Sequence, residues 1–154
     1  MNATADRQFA EFLSKYDPAM VRLTRAVLKK LRALLPGAVE MVYDNYNALV
    51  VGFSPTERVS DALLSIGIYP RWLNLYFLEG AALPDPYRVL EGSGKQVRRI
   101  MLERAATLDE PAIRATIALA LDRAEKPFDS SKPRRMVVKS VSAKQRSRRP
   151  AGAR

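Results

Sequence analysis

Between Val39 and Leu78 four short apolar runs follow one another: 39–43, 48–53, 62–69 and 72–78. Each has the length of a strand and is rich in Val, Ile, Leu, Phe and Tyr. The breaks between them, Asp44-Asn45, Ser54-Pro55-Thr56-Glu57 and Pro70-Arg71, are turn sequences. Runs this short and this close leave no room for crossover helices, so they predict consecutive antiparallel strands. In the last run Asn74 and Tyr76 alternate with Leu73, Leu75 and Phe77, which predicts one buried face and one wetter face.

Helical periodicity flanks this block. Phe9, Phe12, Leu13 and Tyr16 recur at helical spacing. Asp17-Pro18 then restarts a helix, with Asp17 as N-cap and Pro18 in the first turn. Its apolar stripe runs from Met20 through Thr24, Val27, Leu28 and Leu31 to Leu35, and Pro36-Gly37 ends it. Its opposite face carries Arg22, Arg25, Lys29 and Arg32, which reads either as a solvated helix face or as an anion-binding stripe. Beyond a loop at 80–86 and a strand within 96–102, Thr107 or Asp109 is placed to cap a last helix. Glu110 completes a capping box there, and Ile113, Ile117, Ala120, Leu121 and Ala124 form the inner stripe. The prediction is an α+β fold: N-terminal helices, an antiparallel sheet of four to six strands, one later helix and a basic C-terminal tail.

Charge divides the chain in two. Of 26 basic and 16 acidic side chains, residues 1–125 hold 16 and 15, whereas residues 126–154 hold 10 and 1. This predicts a single, nearly neutral α+β domain over 1–125 and a basic segment over 126–154. The segment reads as flexible apart from a strand at 136–141, because it has little apolar surface to offset its ordering entropy. Arg134, Arg135, Lys139, Lys144, Arg146, Arg148 and Arg149 are its candidates for sequence-independent association with nucleic acid.

The chain contains neither cysteine nor histidine. That excludes disulfides, thiolate and imidazole metal ligands, thiol nucleophiles and every imidazole-based triad. No metal, cofactor or catalytic residue is assigned. No apolar run reaches the roughly 20 residues that span a bilayer, and the N-terminal MNATADRQFAEF is charged where a secretory signal needs an apolar stretch. The expectation is a cytoplasmic protein, monomeric or homodimeric.

The segment LEGSGKQVRRI, 90–100, looks at first like a phosphate loop. It is not a Walker motif. Val89 stands where the first glycine is required, and Gln96 where the magnesium-binding hydroxyl belongs. Two readings remain. Gly92 and Gly94 turn the chain into a strand, or the backbone of Gly92, Ser93 and Gly94 forms an anion-binding nest to which Lys95, Arg98 and Arg99 add charge. Asp85 with Glu91, and Ser93 with Lys95, are the pairs that catalysis would draw on, and neither spacing makes a recognisable dyad.

LLPGA, VYDNYNALVVGFSP, IYPRWLNLYFLEGAALPDP, VLEGSGKQVRRI and KSVSAKQRSRRP together resemble the YdhG-like family, a domain of unknown function, over nearly the whole chain from about Tyr16 to Pro150. The resemblance implies a single bacterial, cytoplasmic α+β domain with no settled enzymatic activity, and a C-terminal segment belonging to the fold family. Some relatives are described as frataxin-like iron handlers. Such a role wants an acidic helix surface, where this chain presents Arg22, Arg25, Lys29 and Arg32. The expected function is that of a binding protein whose small anion or protein partner sits near the 80–99 loop and the adjoining sheet face. Nucleic-acid association through the tail is the alternative.

Overall fold

The computed structural model describes residues 3–151. Helices α1 (Ala3–Leu13) and α2 (Pro18–Leu34) precede strands β1 (Val39–Asp44), β2 (Leu49–Ser54), β3 (Leu64–Ile68), β4 (Leu73–Phe77) and β5 (Arg98–Met101). Helix α3 (Pro111–Asp122) and strand β6 (Arg135–Val141) follow. The α+β class is that expected from the sequence.

The sheet is mixed rather than antiparallel. Its order is β5-β4-β3-β2-β1-β6: β1 to β5 pair antiparallel with their neighbours, while β6 lies parallel to β1. The residues of β6 name a strand, but its direction depends on the path by which 126–134 return along the body. Gly37, with φ of +78°, turns the chain from α2 into β1, and this return path crosses directly against it.

The strand registers place Val42, Val51, Ile66, Leu75 and Ile100 in one row across five strands. The row beside it holds Glu40, Phe53, Leu64, Phe77 and Arg98. This face packs with Phe9 and Leu13 of α1, Val27, Leu28 and Leu31 of α2, and Ile113 and Ile117 of α3 in one core. All three helices therefore cover the same side of the sheet. Tyr16, buried between the helical layer and the sheet, donates its hydroxyl to the Ile68 carbonyl at 2.6 Å and accepts the Leu49 N–H at 3.1 Å.

Neither expected N-cap caps. Asp17 makes no side-chain bond to its own helix and instead receives Arg149 at 3.1 Å. A 3₁₀ turn, Ala105–Asp109, precedes α3, so that Glu110 takes the N-cap position and Pro111 the first turn. Asp109 is drawn to Lys30 at 2.7 Å and Arg114 at 2.9 Å. In both places a distant cation outcompetes the local N–H donors.

The C-terminal segment forms the strand expected at 136–141 as β6 and is laid along the body on both sides of it as far as Ala151; residues 152–154 lie outside those described. The reason is electrostatic. Lys126 meets Asp61, Arg134 meets Asp6 and Glu40, Arg135 meets Glu57, Arg148 meets Asp44 and Arg149 meets Asp17. Carboxylates of the nearly neutral domain thus supply the partners that apolar surface does not.

Candidate functional site

The sheet face opposite the helices carries none of them. Its rows follow from the registers: Met101, Asn74, Gly67, Val50 and Tyr43 lie in one, and Arg99, Tyr76, Ser65, Gly52 and Met41 in the next. At the end of this face the turn Pro70-Arg71 closes the β3–β4 hairpin through the Tyr69 N–H to the Trp72 carbonyl at 2.9 Å. The turn thereby sets Tyr69 and Trp72 opposite each other, with ring centroids 5.9 Å apart at 34°. Trp72 is 44% exposed and Met101 46%.

Gly67 explains how the aromatic side chains lie down on the sheet. A Cβ there would stand 2.9 Å from Cε2 of Tyr76 and 3.1 Å from Cε1 of Tyr69, so the absent side chain is the space the two rings occupy. Their hydroxyls are 3.0 Å apart. Burial pushes the Tyr69 hydroxyl up to about 12, and the hydrogen bond to Tyr76 adds to the rise; the nearby Arg99 guanidinium opposes it. Asn74 donates to the Tyr76 hydroxyl at 3.2 Å, while its own Oδ1 is buried with no partner among the described residues. An unpaired buried acceptor is costly to maintain.

Arg99 completes the cluster. Its backbone pairs with Glu91 in both directions, at 2.8 and 2.9 Å, closing the hairpin that contains Gly92, Ser93, Gly94 and Lys95. Among the described residues its guanidinium makes no hydrogen bond and no ion pair. Glu91 is the acid opposite Arg99 in register.

The six residues expected to form an anion nest are thus brought together, but not in equal roles. Gly92 takes a φ of +128°, as its turn requires. Arg98 is turned inward: its Nη1 donates to the carbonyls of Gly94 at 2.6 Å and Val97 at 2.9 Å, fastening the loop to itself. Its backbone lies so close to Gly80 that a Cβ there would come within 2.6 Å of the Arg98 Cβ. Asp85 is likewise structural, accepting the N–H groups of Val89 at 2.9 Å and Leu90 at 3.1 Å. Arg99 and Lys95 remain exposed and outward.

The expected nucleic-acid candidates of the tail are mostly engaged elsewhere. Besides the ion pairs of Arg134, Arg135, Arg148 and Arg149, Lys139 donates to the Glu57 carbonyl at 3.4 Å, and Arg146 lies over the Tyr46 ring at 5.9 Å. Arg148 is 4% exposed and unavailable to any partner. Lys139, Lys144 and Arg146 are the three of the seven that are exposed with no ion pair among the described residues. On α2, Arg32 is bound to Glu40 through two bonds of 2.9 Å and Arg25 lies over Phe9, so the basic stripe is partly used within the fold.

A cleft of about 440 Å³ opens at another edge, between Leu63, Phe77, Leu83 and the C-terminal end of α3. Across its mouth Lys126 and Asp61 pair at 3.0 Å. Among the described residues no three carboxylates gather in a metal-binding arrangement, and no helix is long and apolar enough to cross a membrane.

Sequence reasoning placed Arg99 in the site but missed Tyr69, Asn74 and Tyr76. The signal was the alternation in 73–77, which assigns Asn74 and Tyr76 to the wetter face. No match to this chain was found among protein families, curated proteins or solved structures.

Proposed function

We propose that this is a small non-catalytic binding protein of the cytoplasm, similar to the YdhG-like family, whose anionic partner is held on the open sheet face at Arg99. One observation carries the reading: an exposed guanidinium with no partner among the described residues stands beside the Tyr69–Tyr76 hydroxyl pair on a face that no described helix covers. Arginine left unpaired among aromatic neighbours offers charge, directed N–H donors and a stacking plane at once. Tyr69, its hydroxyl pushed up to about 12 by burial and the Tyr76 bond, is a neutral O–H at physiological pH. Lys95 and the Gly92–Gly94 hairpin border the same edge and add backbone N–H groups and charge.

The test is a titration with inorganic phosphate and pyrophosphate, followed through the Arg99 side-chain resonance. Saturable shifts at Arg99 that vanish in Arg99→Gln are expected. An Arg99 resonance indifferent to both anions removes the reading.

A further inference from the structure

We infer that the anionic partner of the open face is single-stranded nucleic acid, with bases stacked on Trp72 and phosphates at Arg99 and Arg71. This rests on the proposed anion site and gives its ligand a class.

Small-molecule sites are concavities that bury most of their ligand. Neither the 440 Å³ cleft nor the smaller one near Gly37 and Glu57 includes Tyr69, Trp72, Asn74, Tyr76 or Arg99. Only the outer edge of the aromatic cluster is exposed, at Trp72 and Arg99, with Tyr69 and Tyr76 half-buried beneath. A free anion there touches one side only, whereas a polymer gathers contact by extending along the sheet. The exposed part of this face is its β4–β5 side, where Trp72, Met101 and Arg99 stand out beside the half-buried Tyr76.

Charge gives the sign of the polymer. The protein carries +10. Five of the tail's ten cations are paired with carboxylates of the body, whereas Arg71 in the turn beside Trp72, Lys95 in the hairpin and Arg99 beside Tyr76 are exposed and make no ion pair among the described residues. Aromatic surface distinguishes a nucleic acid from other polyanions, because every base has a face to stack. Trp72 presents the exposed ring, held in place by Tyr69. A sheet face that stacks unpaired bases while arginines meet the phosphates is a general solution for single strands. A duplex keeps its bases inside and gains nothing from Trp72.

Trp72 is the single tryptophan of the chain, so its fluorescence reads this edge directly. The full-length protein is titrated with an oligothymidylate of about 10 nucleotides, with thymidine monophosphate, with inorganic phosphate and with a duplex of the same length. Saturable quenching by the oligonucleotide is expected, at least roughly tenfold tighter than by monophosphate or duplex. With labelled oligonucleotide, Trp72→Ala weakens binding by roughly tenfold and Trp72→Phe by much less. Arg99→Gln flattens the log–log salt dependence by about 0.7, the share of one phosphate on a single strand. Lys144→Ala leaves affinity unchanged. Circular dichroism confirms that the variants are folded.

Oligonucleotide that binds Trp72→Ala as tightly as the parent, or that binds without quenching Trp72, overturns the inference. So does equal affinity for duplex. If phosphate and monophosphate shift Arg99 but the oligonucleotide binds no tighter, the nucleic-acid inference falls and the anion site stands. If nothing shifts Arg99, both fall.

Discussion

Arg148 and Asp44, 104 positions apart, meet at 2.9 Å with both side chains buried. The same guanidinium donates to the carbonyls of Asn45 and Tyr46 and lies over the Tyr16 ring at 5.9 Å. Lys15 reaches the other oxygen of Asp44 at 2.8 Å and Gln145 at 2.7 Å. The end of the chain is thereby locked to the α1–α2 junction and the β1–β2 turn. Removing one member of a buried pair leaves an uncompensated charge, at a cost of about 3–5 kcal/mol. Asp44→Ala, which strands both Arg148 and Lys15, is expected near the top of that range. Arg148→Ala, which leaves Asp44 its bond to Lys15, is expected near the bottom. Chemical denaturation should show the double variant less destabilised than the sum of the two. Strict additivity would mean that the two charges do not act on each other.

The same lock predicts acid sensitivity. Burial acts to raise the Asp44 carboxyl, but the bonds from Lys15, Gln145 and Arg148 outweigh it and hold the group below the usual carboxylate range. A carboxyl depressed in the folded state contributes stability that is present in full above its unfolded value, about 4, and is lost as pH falls through the lower folded value. Denaturation midpoints measured from pH 6 down to pH 3 should therefore fall below about pH 4. In Asp44→Asn the part of this loss that belongs to Asp44 should be missing. A variant with the acid profile of the parent would place the sensitivity elsewhere.

Why the helices and strands were legible while the docking of the tail's end was not follows from how each is stabilised. Val51, Ile66 and Leu75 alternate with smaller or polar residues, and that period is written locally in 49–77. The docking of Arg148 is written nowhere near Arg148: it needs Asp44, Asn45, Tyr46 and Tyr16, all over a hundred residues away. Charged side chains are almost never fully buried unless paired, so composition alone assigns Arg148 to solvent. Arg98 and Arg99 show the same limit at the site. As neighbours in a strand they face opposite ways, and only the register, Arg98 beside Phe77 and Arg99 beside Tyr76, tells the fastening residue from the outward one.

Gly37 should prove intolerant of substitution. Its φ of +78° is one that L side chains rarely adopt, and a Cβ would strike the carbonyl oxygen of Asp129 on the returning C-terminal segment. Gly37→Ala therefore carries both a backbone penalty and a backbone clash, together well above the roughly 1 kcal/mol of a strained alanine. The lost stability should appear with loosened hydrogen-exchange protection in β6, since the path into that strand must shift. Loss confined to the α2–β1 turn would show that 126–134 docks independently of it.

Gly67→Ala tests whether the sheet floor holds the tyrosine pair in place. Its Cβ would meet ring atoms of Tyr76 at 2.9 Å and Tyr69 at 3.1 Å, so the rings must move off the sheet. Burial is the larger cause of the rise in Tyr69, and the Tyr76 bond the next. Lifting the rings weakens both, and the Tyr69 midpoint should drop from about 12 toward the ordinary phenol value near 10. Tyr76→Phe removes only the hydroxyl, keeps the burial, and should lower the midpoint by less. Ring-carbon chemical shifts of Tyr69 followed against pH separate the two. The same lifting disturbs the shelf on which Tyr69 supports Trp72, so Gly67→Ala should also weaken anion binding, while Gly94→Ala, whose Cβ meets nothing within 4 Å, should not disturb the pair. A Tyr69 that still titrates near 12 in Gly67→Ala would show that the rings owe their position to one another rather than to the glycine beneath them.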